Sequence, residues 1–320
     1  MELEIVERLC RRFPSHPALK LGPGDDAAIL ELAGRSPEIV VTTDMLTEGV
    51  DYFLERAGGR KIGRKALAVN LSDLAAMAAE PVGCVIAVAL PQRGDVPKLM
   101  EDLCEGFLDA ARETPLAIAG GDTNTWKGPL VISVTAIGRV VGKPLCRRGA
   151  KPGDAIFVTG PLGGSILRHQ FDFTPRVREM AILRDFCPLH AGMDISDGLT
   201  LDLFRLTQQS RCGAILDLDR IPISPDAVEL SELKTAESDM FDWIPQKFAS
   251  RSPLEHALGD GEDFEILFTV SRASAAKLEK HPPQGVSLTR IGEITSTPGI
   301  LGRFQGNEPF PLKISGFEHT

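Results

Sequence analysis

Residues 65–79 read KALAVNLSDLAAMAA, and this stretch limits the fold more tightly than any other. Alanine and leucine are strong helix formers, so the segment predicts a helix, within about 60–79. Its apolar side chains occupy nearly every face, and such a helix must be covered by a sheet or by other helices. Asn70 and Asp73 are the exceptions, three residues apart on one face. A buried carboxylate without a partner is costly or is neutralised by a raised pKa. The segment Asn70-Leu71-Ser72-Asp73 contains no Lys or Arg, so a partner has to be supplied from elsewhere.

Four further segments set aspartates beside small or turn-forming residues. They are Gly22-Pro23-Gly24-Asp25-Asp26, Thr42-Thr43-Asp44, Gly120-Gly121-Asp122-Thr123 and Asp194-Ile195-Ser196-Asp197-Gly198. Asp44 lies in a Val/Ile-rich strand, and Asp122 follows an apolar strand through two glycines. Each segment taken alone is also an ordinary turn or helix cap. Five in one chain point to hard divalent cations bound through oxygen, and Mg²⁺ suits carboxylates shared with phosphates and water. The threonines add neutral oxygens.

Periodicity predicts strands near 26–30, 39–46, 84–90, 115–119 and 130–141, with helices near 60–79 and 96–112, a ββαβαββ unit. A charged, Pro- and Gly-rich stretch, RRGAKPGD at 147–154, precedes a fresh strand at 155–159 and marks a domain boundary. We therefore expect an N-terminal domain at 1–148 and a C-terminal α/β domain at 149–320. In the second domain a glycine-rich turn at 160–165 leads to helices up to about 186. A helix at 198–210 and strands at 213–218, 263–270 and 287–292 follow. Residues 221–252 read as irregular and loop-rich.

The chain's 320 residues suffice for two cores, and a net charge of −9 would repel a polyanion, which argues against nucleic acid as a partner. No run of about 18 apolar residues is present, so no spanning helix is expected and the protein is read as cytoplasmic. Six cysteines without a CxxC or Cys/His cluster argue against zinc and against a disulfide framework. There is no GxxxxGK[ST] phosphate loop. Gly22-x-Gly24-x-x-Ala27 only weakly mimics a dinucleotide fingerprint, with aspartates where the backbone would have to approach pyrophosphate. The six histidines force no nucleophilic triad.

In order and spacing, GPGDDAAIL, VTTDMLTEGVDYF, KALAVNLSDLAAMAAEPVG, AIAGGDTN, RRGAKPGD, DISDGL and GEDFEILF resemble the thiamine-monophosphate kinase family. That family belongs to a superfamily with aminoimidazole-ribonucleotide synthetase and selenophosphate synthetase. The resemblance implies an α/β (α+β) fold of two domains like that synthetase, with N-terminal sheets pairing into a homodimer. It implies Mg²⁺ held by Asp26, Thr42, Thr43, Asp44, Asp73, Asp122, Asp194 and Asp197. ATP would meet Gly121, Asp122, Arg147 and Ser196, and the acceptor would meet Asp51, Glu262 and Ile314. Two of these positions depart from the family's pattern, which has histidine at 51 and an aromatic near 314. Phe317 and Trp243 are aromatics available in its place.

The implied activity is transfer of the ATP γ-phosphoryl group to thiamine monophosphate, giving thiamine diphosphate and ADP. A phosphate monoester is mostly ionised at pH 7, so the acceptor needs no strong base and no covalent nucleophile, only cations and in-line placement. Two other readings stand beside it. One is another ATP-dependent superfamily enzyme of the aminoimidazole-ribonucleotide synthetase kind. The other is a non-catalytic Mg-nucleotide-binding paralogue.

Overall fold

The computed structural model describes residues 39–233 and 251–317, with the backbone of Leu19–Leu21 (β1) and Ile29–Leu30 (β2), which pair antiparallel. The chain divides into two compact units. The first runs to Leu74 and resumes over Ala78–Pro144, and the second takes Ala75–Met77 and everything from Leu145 onward.

In the first unit β3 (Ile39–Thr47) is followed by the short α1 (Leu54–Ala57), α2 (Gly59–Ala76), β4 (Glu80–Pro91), α3 (Val96–Glu113), β5 (Ala117–Trp126) and β6 (Val131–Arg139). The strands form a four-stranded sheet in the order β3-β6-β4-β5. Only β4 and β5 run parallel, which requires a crossover, and α3 provides it. Asp95 caps α3 by accepting from Lys98 N at 3.0 Å, with Pro97 in the first turn where its missing N–H costs nothing.

The alanine-rich helix is α2, and Leu67, Leu71 and Leu74 are wholly buried. It packs directly on α3 through two glycines. A Cβ on Gly63 would overlap Leu103 O, and one on Gly106 would overlap Arg60 O, so the two backbones touch where any side chain would separate them. The helices lie against one face of the sheet, where Val134, Ile86 and Val88 are buried. No described residue of the first unit covers the other face. Ile39 is 48% exposed there, Val41 56%, Met45 65% and Val85 43%.

The second unit holds a seven-stranded sheet in the order β13-β12-β9-β11-β7-β10-β8. Its strands are β7 (Ala155–Val158), β8 (Ala191–Asp194), β9 (Gly213–Asp217), β10 (Ile266–Val270), β11 (Thr289–Thr295), β12 (Gly299–Arg303) and β13 (Phe310–Pro311). The helices are α4 (His169–Asp172), α5 (Val177–Phe186), α6 (Leu199–Ser210), α7 (Pro225–Glu232), α8 (Pro253–Gly259) and α9 (Arg272–Lys280). One core cluster joins Ile156, Val158, Met193, Leu203 and Leu267.

Two expectations need correction. The described part of 221–252 is not all loop, because Ser224 caps α7 by accepting from Ala227 N at 2.9 Å and Pro225 starts the helix rather than breaking it. The strand expected from 263 begins only at Ile266, because Glu262 (φ 62) and Phe264 (φ 50) lie in the left-handed region and turn the chain before it pairs. The irregularity expected at 234–250 lies outside the described residues.

Candidate functional site

The acidic residues of the first unit gather where the C-terminal half of β3 meets α2. Alternation along β3 turns Thr42 and Asp44 toward the helices, and Thr42 Oγ1 donates to Asp73 Oδ2 at 2.5 Å. Burial pushes the Asp44 carboxyl up to about 7, and the neighbouring charges of Asp73 and Asp51 add to the shift. Asp51 lies in the turn after β3, where its Oδ2 accepts from Thr47 N at 2.6 Å. The fully buried Lys65 of α2 holds the same turn by donating to Asp51 O at 2.8 Å. Tyr52 Oη donates to Leu130 O at 2.8 Å, fixing the next residue. One more oxygen is present nearby in sequence: Asn70 Oδ1 is buried and has no hydrogen-bond partner among the described residues.

Three expected site residues of this unit stand apart from that cluster. Thr43 points to the open face of the sheet, where its hydroxyl donates to Val134 O at 3.1 Å and accepts from Thr135 Oγ1 at 3.0 Å. Gly121 and Asp122 lie on β5, the opposite edge strand from β3, three strand spacings or roughly 14 Å away. Gly121 shares the cross-strand row of Asp44, Val134 and Ile86, whereas Asp122 shares the next row with Met45, Ser133 and Ala87, so its side chain faces the open side. Glycine is required at 121 because a Cβ would overlap Ile86 O. Asp26 and Trp243 lie outside the described residues.

In the second unit the DISDG and GEDFE segments join side by side. Beyond the β8–β10 ladder, Ile195 N donates to Glu265 O at 2.8 Å, Phe264 N to Ile195 O at 2.8 Å and Glu262 N to Ser196 O at 2.7 Å. This places Asp194, Ser196, Asp197 and Glu262 together, with Ser196, Asp197 and Glu262 half-buried. The other two carboxylates of GEDFE point inward. Asp263 Oδ1 accepts from Gly163 N at 2.8 Å, and Glu265 accepts from Thr159 Oγ1 at 2.5 Å and from Arg176 Nε at 2.7 Å. The amides of the glycine-rich turn are thereby taken up by the protein itself, with Gly164 N bound to Asp260 Oδ2 at 3.0 Å.

The sequence reading missed two residues here. Asp202 is buried at the start of α6, accepting from Asp197 N at 2.9 Å and Gly198 N at 3.1 Å, and burial raises its carboxyl to about 6. Arg205 Nη1 donates to Asp202 Oδ1 at 2.9 Å and also pairs with Asp197 Oδ2. The i,i+3 spacing of Asp202 and Arg205 after a glycine was the available signal. The tail docks on the same helix start, with Phe317 N donating to Asp197 O at 2.9 Å, and both Ile314 and Phe317 keep exposed side chains. Arg147 sits in an exposed loop before β7, and its guanidinium has no hydrogen-bond or ion-pair partner among the described residues.

The residues of the first cluster fit a divalent cation. Asp44 is short of positive charge, Asp73 and Asp51 are near enough to raise its pKa, and Thr42 adds a hydroxyl oxygen. Among the described residues no three His, Cys, Asp or Glu side chains form a closed metal nest. Mg²⁺ takes one or two protein carboxylates and leaves positions for water and substrate phosphates.

A family model described as AIR synthase related protein, N-terminal domain, matches residues 24–140. The thiamine-monophosphate kinase of Rhodopirellula baltica is 38% identical over 100% of this chain and 97% of its own length. The crystal structure of thiamine-monophosphate kinase from Stenotrophomonas maltophilia superposes with a TM-score of 0.75 at 34% identity, covering 94% of this chain and 96% of that one. A structure of AaThiL complexed with AMPPCP and TMP gives a TM-score of 0.71 at 25% identity, covering 88% of this chain and 87% of that one.

Proposed function

Because this chain belongs to the thiamine-monophosphate kinase family, we propose that it transfers the γ-phosphoryl group of ATP to thiamine monophosphate, giving thiamine diphosphate and ADP. The observation that carries the reading to this chain is the half-buried carboxylate Asp44, on the same face of β3 as the Thr42 that donates to Asp73, and pushed up to about 7 by burial and by the charges of Asp73 and Asp51. Such a group is stabilised by a cation, and a phosphoryl-transfer site has one to offer. The relative solved with AMPPCP and TMP supports the same pair of substrates.

Several Mg²⁺ ions are proposed, with Asp44, Asp73 and Thr42 as ligands in the first unit and, separately, Asp194 and Asp197 as ligands in the second; they would neutralise the charge of phosphate oxygens. Asp26 stays in the proposed set, and Thr43 and Asp122, which face the open side of the sheet, could serve only a further ion apart from that cluster. Arg147, exposed and unpaired among the described residues, would bind a phosphate of ATP, with Gly121 and Ser196 beside the nucleotide. Asp51, Glu262 and Ile314 would face the acceptor. No side chain has to act as nucleophile, since the acceptor phosphate is already an anion.

The open face of the four-stranded sheet supports a homodimer formed through the first unit. The reaction is placed in the cytoplasm, where ATP is available. Among the described residues no helix is long and apolar enough to cross a membrane.

Mass spectrometry of the products after incubation with ATP, Mg²⁺ and thiamine monophosphate tests the proposal. Thiamine diphosphate and ADP in equal amounts are expected, with turnover lost in EDTA and regained on adding Mg²⁺. ATP binding without thiamine-dependent turnover, or faster phosphorylation of another monophosphate, would overturn the acceptor assignment.

A further inference from the structure

Helix α6 contacts a proposed substrate-facing segment at each of its ends, and at each end a hydroxyl of the helix bonds the backbone of that segment. At its last residue, Ser210 Oγ accepts from Gly149 N at 3.1 Å and Ala150 N at 3.2 Å and donates to Arg147 O at 3.0 Å. This uses the full capacity of a hydroxyl, one donor and two acceptor sites. Gly149 is left-handed (φ 131), and a Cβ there would overlap His190 O, so the loop has a defined course as well as an anchor. In the first turn the fully buried Thr200 Oγ1 accepts from Ser315 N at 3.0 Å and lies 2.8 Å from Ser315 O and 3.1 Å from Leu258 O. The segment thus held carries Ile314 and Phe317. Twelve residues separate the two ends by about 18 Å.

We infer that Ser210 and Thr200 are positioning residues for different substrates. Ser210 fixes the loop that presents Arg147 to ATP, and Thr200 fixes the tail that presents Ile314 and Phe317 to the acceptor. The inference rests on the kinase reading for the identity of the two ligands. Its physical basis is preorganisation. Removing either hydroxyl leaves backbone groups without their partner, and the freed segment must be ordered again by the substrate it binds, at the expense of affinity. A merely structural role would lower stability without regard to substrate. A positioning role moves one Michaelis constant and leaves the other.

The test is steady-state kinetics of the full chain with MgATP and thiamine monophosphate varied in turn. Ser210→Ala should raise KM for ATP about fivefold while KM for thiamine monophosphate changes less than about twofold, the loss of roughly one net hydrogen bond. Ser210→Thr, which keeps the hydroxyl, should restore it. Thr200→Val should show the mirror pattern, with Thr200→Ser restoring it. KM does not depend on the fraction of a sample that is folded, so reduced yield does not mask the result. Should Thr200→Val fail to accumulate, Ser315→Pro removes the same amide donor from the tail's side and is expected to raise only the acceptor KM. Both constants moving together, or neither moving, overturns the inference. Titration with ATP alone separates the two failures. A wild type that binds ATP but leaves thiamine monophosphate unphosphorylated overturns the acceptor reading, whereas Ser210→Ala with wild-type ATP affinity overturns the positioning role.

Discussion

At position 51 a carboxylate stands where the resemblance leads one to expect histidine, and its charge falls on Asp44. Asp51 is one of the two neighbours that add to the burial-driven rise of Asp44 to about 7. Removing that charge favours the ionised form, so Asp51→Asn should lower the Asp44 pKa. Mg²⁺ or Mn²⁺ affinity, followed by calorimetry from pH 5 to 8, should then reach its plateau at lower pH than in the wild type. An unchanged profile would show that Asp51 does not act on the cation site. Asp44 itself has a folded pKa of about 7 against 3.8. Its contribution to the stability of metal-free protein is therefore fully present below pH 3.8 and lost as pH rises through about 7. Asp44→Asn should remove that slope and, in EDTA, melt at a higher temperature than the wild type at pH 8. The same variant should lose turnover at least about a hundredfold, because it gives up a charged metal ligand. Near-normal activity would discard the metal reading.

At the scale of elements, the joint between α2 and α3 decides where Asp73 stands. Gly106 lies so close to Arg60 O that even a methyl group must push the helices apart. Gly106→Ala should cost about 1–3 kcal/mol, the usual cost of overpacking, measured by urea unfolding. A loss below about 0.5 kcal/mol, the range of an indifferent surface change, would show that the helix pair yields more easily than its geometry implies. The helices themselves were legible in the sequence, because residues 65–79 carry too much alanine and leucine to read otherwise. Strands β3, β4 and β6 were legible from their β-branched runs. The edge elements were not. The short β8, with its sequence AGMD, has neither length nor β-branched residues, and α8 and α9 are marked chiefly by serine caps at Ser252 and Ser271. In the site, the aspartate segments announced themselves by turn chemistry. Their separation did not, since the placement of Asp122 on the far edge strand and the open face depends on sheet order, which periodicity does not carry.

For the whole molecule, the open sheet face and the turn at Glu262 have opposite bearings on stability. Ile39, Val41, Met45 and Val85 form an apolar strip on the uncovered face, and the proposed dimer would cover it. Sedimentation of the wild type at micromolar concentration should give a dimer, and Val41→Glu with Met45→Glu should give a folded monomer. A monomeric wild type would remove the dimer from the proposal. Glu262 holds left-handed backbone that glycine would adopt without strain, about 1 kcal/mol or more, whereas Phe264, also left-handed, is buried and stacked on Phe173 and would lose more than that in packing. A laboratory screen that rewarded heat resistance alone would accordingly enrich glycine at 262. It would gather sturdier proteins that had given up the carboxylate beside Ser196, so selection at this codon has to be scored on product formed and not on survival of the fold.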